Sequence, residues 1–223
     1  MNKNSNLSRE VIGYFQDNVQ LLIELTVEHV QLVGLAVIVA IIIGVPLGIY
    51  LTTNESLAGT VLNLAGVIMT IPSIALFGIM VPIFSVINQG IGFLPAFVAL
   101  ILYSQLPIIR NTYTAIKNVD PQIRDAAEGI GMKTSQRLFR VEIPNTLPVI
   151  MAGVRTAVVL NIGIGVIAAF IGAGGLGELI TQGISRGNQE MIIAGSIAIS
   201  ILGISADIIL RFIQTLLTPK GFT

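Results

Sequence analysis

The chain has 223 residues, 53% of them hydrophobic and only 11% charged, with twelve basic and twelve acidic side chains in balance. Soluble domains carry about 25% charged residues, so this composition excludes an ordinary soluble fold, and zero net charge without a Lys/Arg tract gives no sign of nucleic-acid binding. The absence of cysteine excludes a disulfide framework and a thiolate metal site, and the absence of tryptophan excludes a Trp cage for a quaternary ammonium group.

The chain begins with a polar stretch, MNKNSNLSREVIGYFQDN, which is not a cleavable signal peptide; the first membrane helix is expected to serve as its own insertion signal. From Leu7 to Glu28, apolar Val11, Phe15, Leu22 and Leu25 alternate at helical spacing with Glu10, Asp17, Glu24 and Glu28. The pattern predicts an amphipathic helix along the membrane surface, or alternatively a polar extension of the first crossing. That crossing is read at 30–51 and contains Pro46, which a membrane helix tolerates only where neighbours or water replace the lost donor. No charge occurs between Glu55 and Arg110, and one helix over that stretch would measure about 80 Å, too long for a hydrocarbon layer of about 30 Å. Asn88-Gln89-Gly90 is the evident break, giving crossings at 57–86 and 91–116. A fourth is read at 144–171 and a fifth at 191–216. Between these two, Gly172–Gln189 is glycine-rich and too polar for a full span, and reads as a short half-helix with loops.

The fold class is therefore all-α integral membrane with about five transmembrane helices. Five crossings put the termini on opposite sides. Six of the twelve basic residues fall between Arg110 and Pro148 (Arg110, Lys117, Arg124, Lys133, Arg137, Arg140), and basic loops face the cytoplasm. The carboxyl end, with Arg211 and Lys220, then lies inside. The amino end, with Lys3 and Arg9, lies outside, as does Arg186. This gives an amino-terminal segment 1–28 at the extracellular surface and a transmembrane domain 29–218, interrupted by a cytoplasmic loop 120–148.

Two glycine patterns mislead. Gly172-Ala-Gly174-Gly-Leu-Gly177 fits the dinucleotide fingerprint, but it follows an apolar helix rather than a strand, and the next acids are Glu178 and Glu190. It reads instead as a bend that lets backbones pack closely or flex. Gly129-Ile-Gly131-Met-Lys133-Thr134 lacks the glycine that a phosphate-binding loop needs directly before its lysine. The chain thus has no recognisable ATP site, and any ATP must be bound by a partner.

The polar loop itself is specific. Asp120 is a good N-cap and Pro121 suits the first helical turn. Gly131 suits the left-handed end of a helix. Thr134 or Ser135 is expected to cap a second short helix, 136–141, and Pro144 to start the next membrane helix. The spacing Asp125-Ala126-Ala127, then Gly131, then Val141-Glu142-Ile143-Pro144 resembles the cytoplasmic EAA loop of binding-protein-dependent ABC importer permeases, Glu-Ala-Ala, three residues, Gly, nine residues, Ile-x-Leu-Pro. It departs by Asp at 125, Val at 141 and Ile at 143. The resemblance covers roughly 21–216.

That resemblance implies a type I ABC importer transmembrane domain in which this loop is a coupling helix seated in a groove of a cytoplasmic ATPase. Asp125, Ala126, Ala127, Glu128, Gly131, Val141, Ile143 and Pro144 would be the ATPase-coupling residues. Ala126 and Ala127 would permit close approach, and Asp125 and Glu128 would meet basic groups. It further implies a second permease subunit, identical or homologous, an extracellular or periplasmic solute-binding protein, and ATP with magnesium held by the ATPase, with no cofactor or metal in this chain. The location implied is the bacterial cell membrane. Within the family, Leu160–Ile180 and the compact length look like the permeases for glycine betaine, carnitine or choline. Methionine permeases share a similar AFxGAGGLG run and are the alternative.

Polar groups at membrane depth complete the candidates. Arg155 and Asp207 are read either as a pair between neighbouring helices, or with Asp207 paired to Arg211 along one helix and Arg155 reaching the interface. Pro72, Ser73 and Asn161 are candidate pathway linings, with helix-packing hydrogen bonds the competing reading. Met69 and Phe77 read as packing, and His29 as structural rather than a proton relay. Such a chain catalyses no reaction itself. Two rivals from other classes are an ion-coupled secondary transporter, which would favour more acids or histidines at membrane depth, and a membrane anchor, which would not require Pro- and Gly-broken helices.

Overall fold

The computed structural model describes residues 3–218, with side-chain surroundings from residue 9 onward. Lys220, and the side chain of Lys3, which entered the charge argument above, lie outside what is described. Among the described residues every regular element is helical. In chain order these are α1 (Lys3–Asp17), α2 (Val19–Leu51), α3 (Glu55–Thr70), α4 (Ser73–Ser85), α5 (Phe93–Lys117), α6 (Pro121–Gly129), α7 (Thr134–Arg137), a π-helical turn Leu138–Glu142, α8 (Ile143–Ala168) ending in a 3₁₀ turn Ala169–Ile171, α9 (Gly177–Arg186) and α10 (Gln189–Leu217).

Four stretches, Val19–Leu51, Phe93–Lys117, Thr134–Ile171 and Gln189–Leu217, are each long and apolar enough to cross a membrane; α3 and α4 meet that measure only as an interrupted pair, a broken span or a re-entrant loop. The break corrects the continuous crossing expected over 57–86. It falls at Ile71-Pro72, where proline lacks an N–H and forces its predecessor out of the helical region. Pro72 itself adopts φ −56°, ψ 138°, and its carbonyl accepts from Ala75 and Leu76 to open α4. The other breaks come where expected, at Asn88, the one non-glycine residue with positive φ among those described (59°), and at the half-helix α9.

The amino-terminal expectation is partly overturned. The helical hydrogen-bond ladder passes through Asn18, which donates to Tyr14 and accepts from Leu22 at 3.0 Å each. Residues 19–28 therefore extend the first spanning helix, which starts eleven residues before position 30. In α1, Val11 is buried, and Tyr14 and Phe15 pack against a cluster of Leu22, Leu25, Leu176, Leu179 and Met191. Its apolar side thus covers the protein's own core.

The chain divides into two compact units, one formed by Met1–Val37, Ile71–Ile101 and Val158–Ala206, the other by Ile38–Thr70, Leu102–Ala157 and Asp207–Thr223. The first contains the cluster just named. It also contains the glycine turn 172–176, whose Gly172, Gly174 and Gly175 have positive φ. In the second unit, Leu51, Ala58 and Ile109 form a core with Leu47, Val61, Leu62 and Tyr113 packed on it. Lipid tails are as apolar as leucine, so close van der Waals packing rather than exclusion from water must hold such helices. Gly48 illustrates this, for a Cβ there would sit 2.7 Å from the Thr112 side chain. Of the four long spans, that formed by α5 is the most enclosed by the rest of the chain and that formed by α10 the least. Ile197, Ile201, Ile204, Ile208 and Phe212 of α10 all point outward.

Candidate functional site

The polar loop lies wholly in the second unit. Asp120 caps α6 as expected, its Oδ1 accepting from the Gln122 amide at 2.8 Å, with Pro121 in the first turn. The helix ends with Gly131 at φ +80°, its N–H donating to the Glu128 carbonyl at 2.8 Å while Met132 donates to Ala127 at 3.1 Å. The next start differs from expectation. Lys133, not Thr134 or Ser135, precedes α7, and its amide donates to Gln136 Oε1 at 2.9 Å. Nor does the chain restart at Pro144. Proline is tolerated in a helix's first turn, and the π turn feeds into α8 without a gap.

The predicted coupling residues separate into two groups. Asp125, Ala126, Glu128 and Gly131 are exposed; with Gly129 and Ile130, exposed beside them though not among the predicted residues, they form an outward surface on α6 and its end. Ala127 is buried and faces its own chain, so of the two alanines only Ala126 is open to a partner. Val141, Ile143 and Pro144 are half-buried. Large apolar side chains stand out on this otherwise polar surface, Ile130 at 75% and Phe139 at 67% exposure.

Beneath that surface is an ionic cluster that the sequence reading did not single out. Glu142 is only 4% exposed. Its Oε1 faces Arg137 Nε at 2.9 Å and Arg124 Nε at 3.2 Å. Arg137 also pairs with Glu128, and Arg124 donates to the Ile116 carbonyl at 2.5 Å. Lys117 at the end of α5 pairs with Glu55 at the start of α3. A cleft of about 580 Å³ opens beside this cluster, lined by Tyr50, Thr53, Lys117, Arg124, Arg137 and Glu142 among others. One signal was available in the sequence, because Glu142 stands among apolar residues and its charge requires partners. The π turn that delivers Arg137 left no pattern to read.

The second predicted group is also in this unit. Asp207 makes both expected pairings at once, and Arg155 pairs rather than standing apart: Oδ1 meets Arg155 Nε at 3.0 Å across helices α8 and α10, and Oδ2 meets Arg211 Nη2 at 3.2 Å along α10. Nearby, Gln214 donates to the Pro148 carbonyl at 3.0 Å. In the first unit, Pro72 is exposed and Ser73 half-buried. Asn161, by contrast, is fully buried, its Nδ2 donating to the Leu100 carbonyl at 3.1 Å. That is a helix-packing bond, and it corrects the expectation of an open pathway surface at this residue. Phe77 is buried as packing, whereas Met69 is exposed. His29 is enclosed and bonds the Ile162 carbonyl at 3.1 Å, beside Gly175, whose amide donates to Glu28 at 2.9 Å. Among the described residues no group of three His, Cys, Asp or Glu is placed to hold a metal.

The helices long and apolar enough to cross a membrane carry a capped, outward-facing loop helix, and residues 30–221 match the binding-protein-dependent transport system inner membrane components. The chain belongs to that family. Its relatives include the osmoprotectant import permease protein OsmW of Salmonella typhimurium, 54% identical over 95% of this chain and 99% of that one. The glycine betaine/carnitine/choline transport system permease protein OpuCB of Bacillus subtilis is 40% identical, over 95% of each chain. In fold the chain is similar to an inward-facing structure of the MetNI methionine ABC transporter, with a TM-score of 0.81 over 91% of this chain and 99% of that one at 22% identity. An amino acid ABC transporter structure follows at a TM-score of 0.75 and 17% identity, over 91% of this chain and 96% of that one.

Proposed function

We propose that this chain is the membrane-spanning permease subunit of an ATP-driven importer for small osmoprotectants of the glycine betaine, carnitine or choline type. The observation that carries the reading is the 54% identity, over nearly the full length of both chains, to an osmoprotectant import permease. Methionine, the other candidate cargo, has only similarity of fold behind it.

In this reading two permease subunits, identical or homologous, enclose the pathway between them. A cytoplasmic ATPase docks on the exposed face of α6, where Asp125 and Glu128 offer charge, Ala126 permits close approach and Ile130 supplies an apolar contact. ATP and its magnesium belong to that ATPase. A solute-binding protein on the opposite side delivers the cargo. The carboxyl end lies in the cytoplasm and the amino end outside, as the concentration of basic residues in 110–140 supports. The bond of Asp207 to Arg155 holds α8 to α10, and Arg211 on the same helix helps neutralise the carboxylate at membrane depth. Pro72 and Ser73, at the break between α3 and α4, are the pathway-lining candidates that remain.

The test is uptake of radiolabelled glycine betaine, carnitine and choline into proteoliposomes holding this chain with its ATPase and binding protein. Accumulation should require internal ATP hydrolysis by the ATPase. Uptake driven by an ion gradient in vesicles lacking that subunit would overturn the reading.

A further inference from the structure

The ionic cluster under the coupling loop poses a question that docking alone does not answer. An ATPase gripping α6 moves solute only if displacement of α6 reaches a spanning helix. A nine-residue helix followed by a glycine turn is a compliant connection. Something stiffer must bridge it.

Glu142 supplies the bridge. Three chain segments converge on its carboxylate: the end of α7 through the Arg137 hydrogen bond, α6 through the charge of Arg124, whose Nε lies 3.2 Å away without completing a hydrogen bond, and α8, which Glu142 directly precedes. Arg124 extends the network to the last turn of α5 through the Ile116 carbonyl, and Arg137 closes it back onto α6 through Glu128. The local backbone is what permits this. In an α-helix, residues five apart are separated by about 140° and cannot share a face. The turn Leu138–Glu142 is instead π-helical, with the Ile143 amide donating to the Leu138 carbonyl, and Arg137 and Glu142 come together. π turns of this kind are frequent at functional sites.

The adjacent cleft, with three cations on its wall, first suggests an anion site. Each cation is already committed, Lys117 to Glu55, Arg137 to Glu128 and Glu142, and Arg124 to Glu142. No uncompensated positive charge is left for a phosphate, so the cluster serves the chain's own geometry.

We infer that Glu142 is a positioning residue for energy coupling: its buried carboxylate locks α6 to α8 so that ATPase-driven displacement of the loop reaches the membrane helices. The inference rests on the importer reading above. A buried ion pair contributes little net stability but is disrupted severely when one partner is removed, which suits a part whose task is to keep two elements in register.

The experiment measures solute uptake and ATP hydrolysis in the same proteoliposomes, with the full complex assembled around wild type, Glu142→Gln and Arg137→Lys. Glu142→Gln should keep the ATPase bound at wild-type stoichiometry and hydrolysis near wild type, while solute moved per ATP falls about tenfold, within the range by which single residues modulate coupling. Arg137→Lys retains charge without the guanidinium fork, and should lower the ratio by about threefold. A ratio within about twofold of wild type in both variants would sink the inference. So would loss of ATPase binding in both variants in proportion to uptake, because the cluster would then be merely structural. If wild type itself shows no ATP-driven uptake, the importer reading fails first and takes this inference with it.

Discussion

The loop after α5 and the turn after α8 both interrupt apolar helices with sequence in which glycines set the bend, and both imitate a phosphate-binding pattern. They are built in opposite ways. The first presents α6 outward and is held from beneath by Glu142, Arg124 and Arg137. The second turns inward, with Gly175, Leu176 and Gly177 buried, and its backbone is tied from both sides: the Gly175 amide donates to the Glu28 carboxylate at 2.9 Å, and the Ile171 carbonyl accepts from the Gly92 amide at 2.7 Å. Glycine in the exposed loop leaves room around the chain, whereas glycine in the buried turn is the only residue that fits. A surface that must engage a partner keeps its side chains outward, whereas missing side chains suit a turn against which a neighbouring helix, Glu28 and His29 included, must pack.

The sharpest way to break the contrast is to add one methyl group to each region. Gly177→Ala would place its Cβ 2.2 Å from the Val166 carbonyl oxygen. Because the obstruction is backbone, we expect little folded protein, a loss beyond the usual overpacking cost of about 1–3 kcal/mol, read as the monodisperse fraction after detergent extraction. Next in size is the charge bridge of α8 and α10. Arg155→Asp and Asp207→Arg should each depress uptake strongly, and the double exchange should restore part of it, since opposite charges again face each other. Absence of any rescue would show that the 3.0 Å pair does not govern function.

Smaller effects belong to the exposed loop. Gly131→Ala meets no neighbour, but its φ of +80° costs a side chain about 1–2 kcal/mol, so weakened ATPase co-purification from a normally inserted chain is expected. Gly129→Ala has open space and no such backbone demand. It should leave assembly intact and raise stability by up to about 1 kcal/mol, visible as a small increase in melting temperature.

How much of this was legible follows from where the signals reside. Asp120, Pro121 and Gly131 act within a few residues of themselves, so their roles were visible in one dimension. The helix count was also visible, since charge-free runs have no other use. The break at Pro72 was not legible, since a proline within a long apolar run does not say whether the helix continues, bends or ends, and here it ends. Asn161 looked like a pathway group because polarity at membrane depth suggests water; only the Leu100 carbonyl opposite it shows otherwise. Ala126 and Ala127 looked equivalent until helix phase turned one outward and the other inward. Glu142 was passed over because its two arginines lie five and eighteen residues away, and a π turn has no sequence period to betray it.

That π turn carries one residue more than an α-helix would need over the same rise, as though an insertion had been absorbed in place. Deleting a residue from a spanning helix ordinarily rotates everything beyond it by about 100°. Deleting exposed Arg140 should instead let the segment relax to a regular α-helix, bringing Arg137 and Glu142 to the four-residue spacing at which side chains share a face. The chain should therefore forgive a lost residue here and nowhere within α8, a difference that deletions of Arg140 and Ala157, compared by melting temperature, would expose directly.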